Sequence, residues 1–326
     1  MPVLEVNRLS RDYTTRKETV HALREVDLAL SEGEIVGLLG LNGAGKTTML
    51  KVISTLLLPT SGSVRVAGFD VVAETREARR CLSVVLGGER GFYNRLSGRD
   101  NIRFFGLLSG LSRHEARRKG DDALEQVGLG EAADRPVETY SKGMKQRLHL
   151  ATGLLTTPRL LLLDEPTVGL DPIEAQRVRD SIDELRGTSV AVLLTSHYLA
   201  DIERLAERVV ILQRGAVTHD LPLERLLERA GAAAEVALTG AGEPPGEDRL
   251  AEAAQHSGVR VLELVSRGTA EATWSLRLEV QDWSPSSLRT LAALWPDSEI
   301  TDVRVQPVTL ETVFSDLSRG DQGRPP

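Results

Sequence analysis

With 326 residues, 41% of them hydrophobic and 27% charged, the chain is long enough for one large domain and one smaller domain, each with its own core. The net charge of −7 gives no basic field over the whole chain, so non-specific binding to nucleic acid is not expected. A single cysteine, Cys81, excludes an internal disulfide and fits a reducing compartment. We interpret Cys81 as a small core residue.

The N-terminus and the apolar runs favour a soluble chain. The sequence does not open with a charged segment followed by an apolar one, so no secretion signal is predicted. Apolar runs such as Ile35–Leu39 and Leu160–Leu163 are far shorter than the ~18 residues that a membrane span requires. Any link to a membrane is therefore expected to run through a partner.

Residues 1–219 predict an α/β domain with a buried sheet. Short apolar strands at 34–40, 160–163 and 190–194 alternate with helical patterns. Their leucine and β-branched content, without polar alternation, is typical of strands that are covered on both faces. Between about residues 95 and 155 the strand signals vanish, and helical patterns at 113–127 and 144–155 predict an inserted helical subdomain.

The predicted boundary at Asp220-Leu221-Pro222 begins a smaller second domain, residues 220–326. A short amphipathic helix follows, with Leu223, Leu226, Leu227 and Ala230 on one face. The later patterns predict, in order, strand 235–239, helix 249–256, strands 259–265 and 273–280, helix 286–295 and strand 300–306. This order, βαββαβ, predicts a ferredoxin-like α+β arrangement.

A phosphate-binding loop is predicted between the strand 34–40 and a helix expected at 48–54. The motif GxxxxGK[ST] is matched by Gly40, Leu41, Asn42, Gly43, Ala44, Gly45, Lys46 and Thr47. The glycines let successive backbone N–H groups converge on phosphate oxygens, and the following helix adds its positive N-terminal end. Lys46 is expected to reach the β- and γ-phosphates, and the Thr47 hydroxyl to ligate Mg²⁺. The alternative is a glycine turn with an incidental lysine, against which the strand–loop–helix context argues.

Two carboxylates end the apolar strand 160–163. At the end of a buried strand, Asp164 can hold Mg²⁺ and Glu165 can act as general base towards the attacking water. The alternative is a solvated strand terminus. The phosphate loop upstream favours the catalytic interpretation.

With both motifs placed, residues 3–218 resemble the ABC ATPases, and further motifs follow in that family's order. Tyr140–Arg147 (YSKGMKQR) resembles the ABC signature, Val168–Asp171 resembles the D-loop, and Ser196-His197 after a strand resembles the switch histidine. The resemblance implies that Ser141 and the amides near Gly143 contact the γ-phosphate held by a second subunit. It also implies that Asp171 communicates across the dimer, and that His197 is catalytic by stabilising charge on the phosphoryl group.

The implied ATP-binding set adds an aromatic side chain and one further threonine. Tyr13 stands where the family has the aromatic residue that stacks on adenine; the alternative is an ordinary aromatic at a strand end. The full set is Tyr13, Gly40, Leu41, Asn42, Gly43, Ala44, Gly45, Lys46, Thr47, Thr48, Ser141, Gly143 and Asp171, with Thr47 and Asp164 as Mg²⁺ ligands.

The sequence departs from the family pattern at several positions. Leu41 stands where proline is common, and Lys142 and Met144 stand where the signature usually has glycine and glutamine. The Q-loop glutamine is missing; Gly88 aligns with it, and Glu89 could take its place.

The signature form YSKGMKQR and the segment Gln306–Phe314 are similar to ATPase subunits of ABC-2-type exporters, which carry an accessory C-terminal domain. This group includes antibiotic self-resistance pumps and exporters of polysaccharide or sodium. The resemblance implies a P-loop NTPase fold and a homodimer that hydrolyses ATP with Mg²⁺ at the cytoplasmic face of the membrane. A separate permease would contact Leu86–Arg95, and the C-terminal domain could serve dimer contact or regulation. The residues do not indicate the cargo.

Two other functions stay open at this point. The chain could be an ABC ATPase without a transporter that acts on nucleic acid or ribosomes, although it has neither a second ABC domain nor a long coiled-coil insertion. It could also be a nucleotide-sensing regulatory module, because the altered Q-loop and signature affect residues associated with turnover.

Overall fold

Short apolar runs form buried parallel strands in the computed structural model of the chain. The structure describes residues 2–15, 18–86, 91–196, 198–229, 234–242, 259–267, 273–280 and 299–307, with the single positions 246, 250, 283, 287 and 291. These residues belong to two compact units, Met1–Leu223 and Glu224–Pro326. The first unit thus ends slightly beyond the predicted boundary at residue 219, because its last strand continues to Pro222.

The first unit contains ten strands. They are β1 (Leu4–Thr14), β2 (Thr19–Leu30), β3 (Ile35–Leu39), β4 (Ser61–Val66), β5 (Phe69–Asp70), β6 (Leu82–Leu86), β7 (Leu160–Asp164), β8 (Ala191–Thr195), β9 (Arg208–Gln213) and β10 (Ala216–Pro222). The helices are α1 (Lys46–Ile53), α2 (Thr75–Cys81), α3 (Gly98–Leu108), α4 (Arg113–Gln126), α5 (Lys142–Leu154), α6 (Pro172–Asp183), α7 (Leu199–Leu205) and α8 (Leu223–Arg229), which starts at the unit boundary.

The predicted buried sheet is present and has six strands in the order β10-β9-β3-β8-β7-β6. All its pairs are parallel except that β10 runs antiparallel to β9. Every residue of β3 and β8 is buried, as expected for strands covered on both faces. Because the strands are parallel, the loops that follow β3, β7 and β8 all leave from the same edge of the sheet.

A second, antiparallel sheet was not predicted. Its order is β2-β1-β4-β5, and β1 pairs with both β2 and β4 through several register shifts. Side chains from both sheets and from α1 form one continuous core, in which Leu4, Leu30, Met49 and Leu160 are no more than 1% exposed. This core fixes the start of α1 against the parallel sheet.

The predicted helical subdomain is also present: the described part of residues 91–155 contains helices and an isolated bridge but no strand. A serine caps the start of each of its three helices. The Oγ atoms of Ser97, Ser112 and Ser141 accept backbone N–H bonds of 3.0, 3.2 and 3.1 Å from the residue three positions ahead. Such caps contribute about 1 kcal/mol each to helix stability.

The second unit has the predicted strand pattern. Its strands are β11 (Ala234–Ala241), β12 (Val259–Arg267), β13 (Thr273–Val280) and β14 (Glu299–Pro307), all antiparallel in the order β12-β13-β11-β14. This is the strand order of a ferredoxin-like sheet, and Trp274, Leu276 and Leu278 lie in its core. The two predicted helices, 249–256 and 286–295, and the segment after residue 307 lie almost entirely outside the described residues.

Candidate functional site

The phosphate loop turns sharply between β3 and α1, and two of its glycines, Gly40 and Gly45, are required by the space around them. A Cβ atom on Gly40 would lie 2.4 Å from the carbonyl oxygen of Leu212 in β9. Gly45 has φ +110°, and a Cβ there would lie 2.5 Å from the carbonyl oxygen of Ala22. The loop is thus packed against β2 and β9, which leaves room for backbone only.

Helix α1 begins at Lys46, two residues earlier than predicted, so that Lys46 and Thr47 both lie in its first turn. Its N-cap residue is Gly45, and no side chain caps the helix. The first amides of α1 therefore carry the positive end of the helix dipole without a side-chain acceptor, an arrangement suited to an anion.

Lys46 is held inside the loop. Its side chain is buried, with 8% of the residue exposed, and Nζ donates hydrogen bonds to the carbonyl oxygens of Gly40 and, at 3.3 Å, Leu41. Burial lowers the pKa of Lys46, and the negative charges of Glu165 and Asp164 oppose that shift. Both carboxylates therefore lie near enough to act on the ammonium group of the loop.

The register of the sheet explains this proximity. Leu38 of β3 pairs with Thr195 of β8, and Thr195 pairs with Asp164 of β7, in one row across the sheet. Adjacent strands are about 4.8 Å apart, so the end of β3 and Asp164 are separated by about two strand spacings. One row thus brings the start of the phosphate loop and the carboxylates to the same edge.

Thr195 links the two carboxylate residues, and the sequence interpretation missed it. Its fully buried hydroxyl donates to Asp164 Oδ1 at 2.6 Å, while its Oγ1 and carbonyl oxygen are each 3.1 Å from the Glu165 amide nitrogen. Glu165 has φ +52°, which is uncommon for a residue with a side chain. This conformation turns the chain out of the sheet immediately after Asp164.

The oxygen donors at this edge suit magnesium. Mg²⁺ prefers one or two protein oxygen ligands and completes its shell with phosphate oxygens and water. Thr47, which is exposed in the first turn of α1, and Asp164 carry oxygen atoms of this kind. Within the described residues no group of three or more His, Cys, Asp or Glu side chains could hold a metal by itself, so a dedicated protein cage is not formed there.

The signature residues lie at the start of α5, which packs closely against α6. Ser141 is exposed at the N-cap, and Gly143 is buried because Glu174 of α6 lies over it. A Cβ on Gly143 would lie 2.5 Å from Glu174 Cβ. Arg147, 5% exposed, donates to the carbonyl oxygens of Val127 and Gly128 at 2.9 and 3.0 Å and to Glu174 at 3.4 Å.

Asp171 caps α6. Its Oδ1 accepts N–H bonds of 3.0 Å from Ile173 and Glu174, and Pro172 begins the helix. The predicted signature and D-loop residues are therefore brought together at adjacent helix starts. No hydrogen bond or ion pair in the described part of the chain joins these helix starts to the phosphate loop.

Tyr13 lies near the end of β1 and is 39% exposed, so part of its side chain is accessible. The guanidinium carbon of Arg11 is 4.9 Å from the ring centre, within range of a cation–π contact. Three predicted positions cannot be placed: His197, Gly88 and Glu89 lie outside the described residues. The neighbours of His197, Ser196 and Tyr198, are described.

An apolar surface covers one side of α3 and the segment before it. Its exposed side chains are Tyr93, Leu96, Phe104, Leu107 and Leu108, which are 39–72% exposed. The rings of Tyr93 and Phe104 meet edge to face, with centroids 5.0 Å apart. Among the described helices none is long and apolar enough to span a membrane.

Sequence comparison matches residues 23–168 to the ABC transporter family. The chain is 38% identical over 219 residues to the ABC transporter ATP-binding protein NatA of Bacillus subtilis, covering 67% of this chain and 89% of NatA. It is 40% identical over 226 residues to the doxorubicin resistance ATP-binding protein DrrA of Mycobacterium tuberculosis, covering 69% and 67%. The linearmycin resistance ATP-binding protein LnrL of Bacillus subtilis is 34% identical over 240 residues, covering 74% and 76%.

Solved structures share the fold of the first unit. A dimeric ATP-binding cassette in a post-hydrolysis state, bound to ADP and Pi, aligns with a TM-score of 0.60 and 25% identity over 68% of this chain and 98% of its own. The ATP-binding subunit of an ABC transporter aligns with a TM-score of 0.61 and 30% identity over 70% and 92%.

Proposed function

The chain belongs to the ABC transporter ATP-binding subunits, and from this premise we propose that it hydrolyses ATP at a site that lies between Lys46 and Glu165. We propose further that this hydrolysis powers export through a separate membrane-spanning permease. ATP hydrolysis is the activity of this family. The residues that perform the hydrolysis, the partners of the chain and the transport that the hydrolysis drives are proposed below.

The single observation that carries the residue assignment is the row Leu38–Thr195–Asp164 across the sheet. This row sets the start of the phosphate loop and the two carboxylates at one edge. The carboxylates are close enough to Lys46 to oppose the lowering of its pKa by burial.

In the proposed mechanism the loop amides of residues 40–47 and the start of α1 bind the β- and γ-phosphates, and Lys46 adds a positive charge. Glu165 accepts the proton of the attacking water, because its position after β7 directs it to the edge where the γ-phosphate ends. His197 stabilises the charge that develops on the transferred phosphoryl group. Tyr13, whose side chain is partly accessible, stacks on the adenine.

Magnesium fits the oxygen donors present. Thr47 and Asp164 would hold Mg²⁺, which neutralises phosphate charge when bound. Thr195 in the neighbouring strand β8 donates a hydrogen bond to Asp164 Oδ1 and so orients the carboxylate for this purpose.

A second copy of the chain completes the site in this proposal. Ser141 and Lys142 at the start of α5 are exposed, and they form no hydrogen bond with the described phosphate loop of their own chain. A helix start of this kind suits the γ-phosphate held by a partner. The dimeric cassette that shares the fold supports the same arrangement.

The permease is proposed to dock on Leu86–Arg95 and the adjoining apolar surface of α3. Exposed apolar patches of this kind mark protein contacts more often than free surface. Relatives named for resistance to doxorubicin and linearmycin support export as the direction of transport. The chain would then work at the cytoplasmic face of the membrane; a role on nucleic acid or ribosomes is not favoured by these relatives.

Replacing Glu165 with Gln tests the catalytic assignment. The amide keeps the size of the side chain but cannot accept the proton, so we expect kcat for ATP hydrolysis to fall about 10²–10⁴-fold. Binding of a fluorescent ATP analogue should be retained, and ATP-dependent dimers should persist in size-exclusion chromatography.

Glu184→Gln is the matched control, because Glu184 is exposed at the end of α6. Its kcat should stay within about twofold of the wild type, as for most surface substitutions. Near-normal hydrolysis by the Glu165→Gln variant would remove Glu165 from the role of base.

A further inference from the structure

A fully buried carboxylate lies behind the catalytic edge. Asp201 in α7 is 0% exposed, and three side chains donate hydrogen bonds to it. Arg179 Nε donates to Oδ1 at 2.7 Å, Ser196 Oγ donates to Oδ2 at 2.8 Å, and Thr167 Oγ1 also donates to Oδ2. A buried charge requires such partners, since an unpaired one would be costly.

The two hydroxyl donors come from the two loops that carry the proposed reaction. Thr167, 2% exposed, is two residues after Glu165 in the loop that follows β7. Ser196, 5% exposed, directly precedes His197 in the loop that follows β8. One oxygen atom, Asp201 Oδ2, therefore joins both loops.

Ser196 also fixes the chain beyond position 197. Its Oγ accepts a hydrogen bond from the Tyr198 amide at 3.0 Å while it donates to Asp201. Asp201 thus holds the hydroxyl that joins Ser196 to the Tyr198 amide.

The two carboxylate oxygens of Asp201 have different partners. The ion pair between Arg179 in α6 and Asp201 in α7 already joins the two helices through Oδ1. The second oxygen serves only the loops. This division between the two oxygens indicates a role beyond holding the fold.

We propose that Asp201 is a positioning residue for ATP hydrolysis, whose Oδ2 sets the distance between the loop of Glu165 and the loop of His197. The inference rests on the proposed roles of those two residues. A misplacement of about 1 Å between reacting groups can lower a rate about 10²-fold, so loss of one hydroxyl bond should be visible in turnover.

The test uses Thr167→Val and Ser196→Ala in the full-length chain. Each removes one hydroxyl and leaves the Asp201–Arg179 pair in place. We expect kcat, expressed per nucleotide-binding site, to fall about 10- to 100-fold, with KM for ATP and the affinity for a fluorescent ATP analogue within about twofold of the wild type. Thr167→Ser keeps the hydroxyl and should restore kcat to within about threefold of the wild type.

Ser181→Ala and Thr152→Val are the matched controls. Their hydroxyls donate to helix carbonyl oxygens, those of Arg177 at 3.0 Å and Leu148 at 2.9 Å, and touch neither loop. Both controls should keep kcat within about twofold even if their unfolding midpoints shift.

The proposal is overturned if Thr167→Val and Ser196→Ala keep wild-type kcat per site, or lose activity only in proportion to lost nucleotide-binding protein. Wild-type turnover of Thr167→Val together with an inactive Glu165→Gln variant would reject the role of Asp201 but leave that of Glu165 standing. An active Glu165→Gln variant would instead reject the proposed base.

Discussion

The phosphate loop shields the side chain of Lys46 from water. Its ammonium group is buried and hydrogen-bonds to carbonyl oxygens of Gly40 and Leu41, while the carboxylates of Asp164 and Glu165 act on it from the sheet edge. The charge is thus already oriented within the loop, so little reorganisation is required when phosphate binds.

Lys46→Ala should weaken ATP binding itself. A charged hydrogen bond contributes about 1.5–3 kcal/mol, which corresponds to an affinity about 10- to 100-fold lower. Titration of a fluorescent ATP analogue measures the change. Lys51→Ala, at an exposed position in the last turn of the same helix, is the control and should bind normally; equal affinity of both variants would contradict the role of Lys46.

His149 in α5 is a half-buried residue whose ring nitrogen Nε2 is shielded from water, so its protonation also matters. Its ring packs on Phe92 with centroids 4.1 Å apart, and Nε2 has no hydrogen-bond partner within the described part of the chain. Burial lowers the pKa of His149 to about 4. The unfolded chain, with an ordinary histidine pKa of about 6.5, therefore binds more protons than the folded chain between these two values.

The free energy of unfolding should accordingly fall as the pH drops from about 6.5 to 4, by up to about 3 kcal/mol from this residue. His149→Phe preserves the aromatic contact and removes the titration, so its urea midpoint should fall less over the same range. His114→Gln, an exposed histidine on α4, should behave like the wild type. Parallel pH profiles for wild type and His149→Phe would refute the assignment.

At the scale of elements, α5 and α6 pack against each other and together position the predicted signature residues. Glu174 of α6 covers Gly143 and pairs with Arg147, so the start of α5 is packed directly against the start of α6. Asp171 caps α6 at the same end. The signature and D-loop should therefore shift together when the dimer closes.

Gly143→Ala tests this packing. Alanine normally stabilises a helix interior by about 1 kcal/mol relative to glycine. Here the added Cβ would lie 2.5 Å from Glu174 Cβ, so we expect a loss of about 1–3 kcal/mol in the free energy of unfolding. Urea unfolding measures it, and Gly120→Ala in α4, where the nearest atom, Cγ2 of Ile102, is 3.0 Å from the added Cβ, should cost less. A stabilised Gly143→Ala chain would show that the packing is loose.

The elements that the sequence predicts are those with a local pattern. The buried strands β3, β7 and β8 are continuous apolar runs, and the glycine motif fixes the turn into α1. The strands of the second unit alternate clearly enough to give the order found. The sheet β2-β1-β4-β5 was missed because its strands are interrupted by register shifts that blur the alternation.

The polar residues behind the site could not be predicted for a different reason. Thr167, Thr195, Ser196 and Asp201 are residue types that usually lie on surfaces. Only the tertiary fold, which buries them all to 5% exposure or less, shows that they bond to one another or to Asp164. No spacing in the sequence carries that information.

At the scale of the whole molecule, the chain has two units with separate cores. The first buries the residues of both sheets around α1, and the second buries Trp274 and its neighbours. All proposed nucleotide ligands belong to the first unit. Ligand binding should therefore stabilise that unit directly.

Calorimetry of the Glu165→Gln variant, which should hold ATP without turnover, tests this separation. Mg-ATP at 100 times its dissociation constant adds about 2.7 kcal/mol to the stability of the unit that binds it. We expect the midpoint temperature of the unfolding transition of residues 1–223 to rise with ATP. The midpoint temperature of the transition of residues 224–326 should stay unchanged. A common shift of both transitions would mean that the units unfold together.

The close approach of β9 to the phosphate loop also governs how this loop can diverge. The carbonyl oxygen of Leu212 blocks every side chain at position 40, although β9 supplies no predicted ligand, whereas Leu41 next to it is 54% exposed. We therefore expect position 40 to accept no side chain and the adjacent position 41 to accept many. We expect a chain with proline in place of leucine at position 41 to bind nucleotide as well, whereas any side chain at position 40 would meet the strand on the far side of the turn.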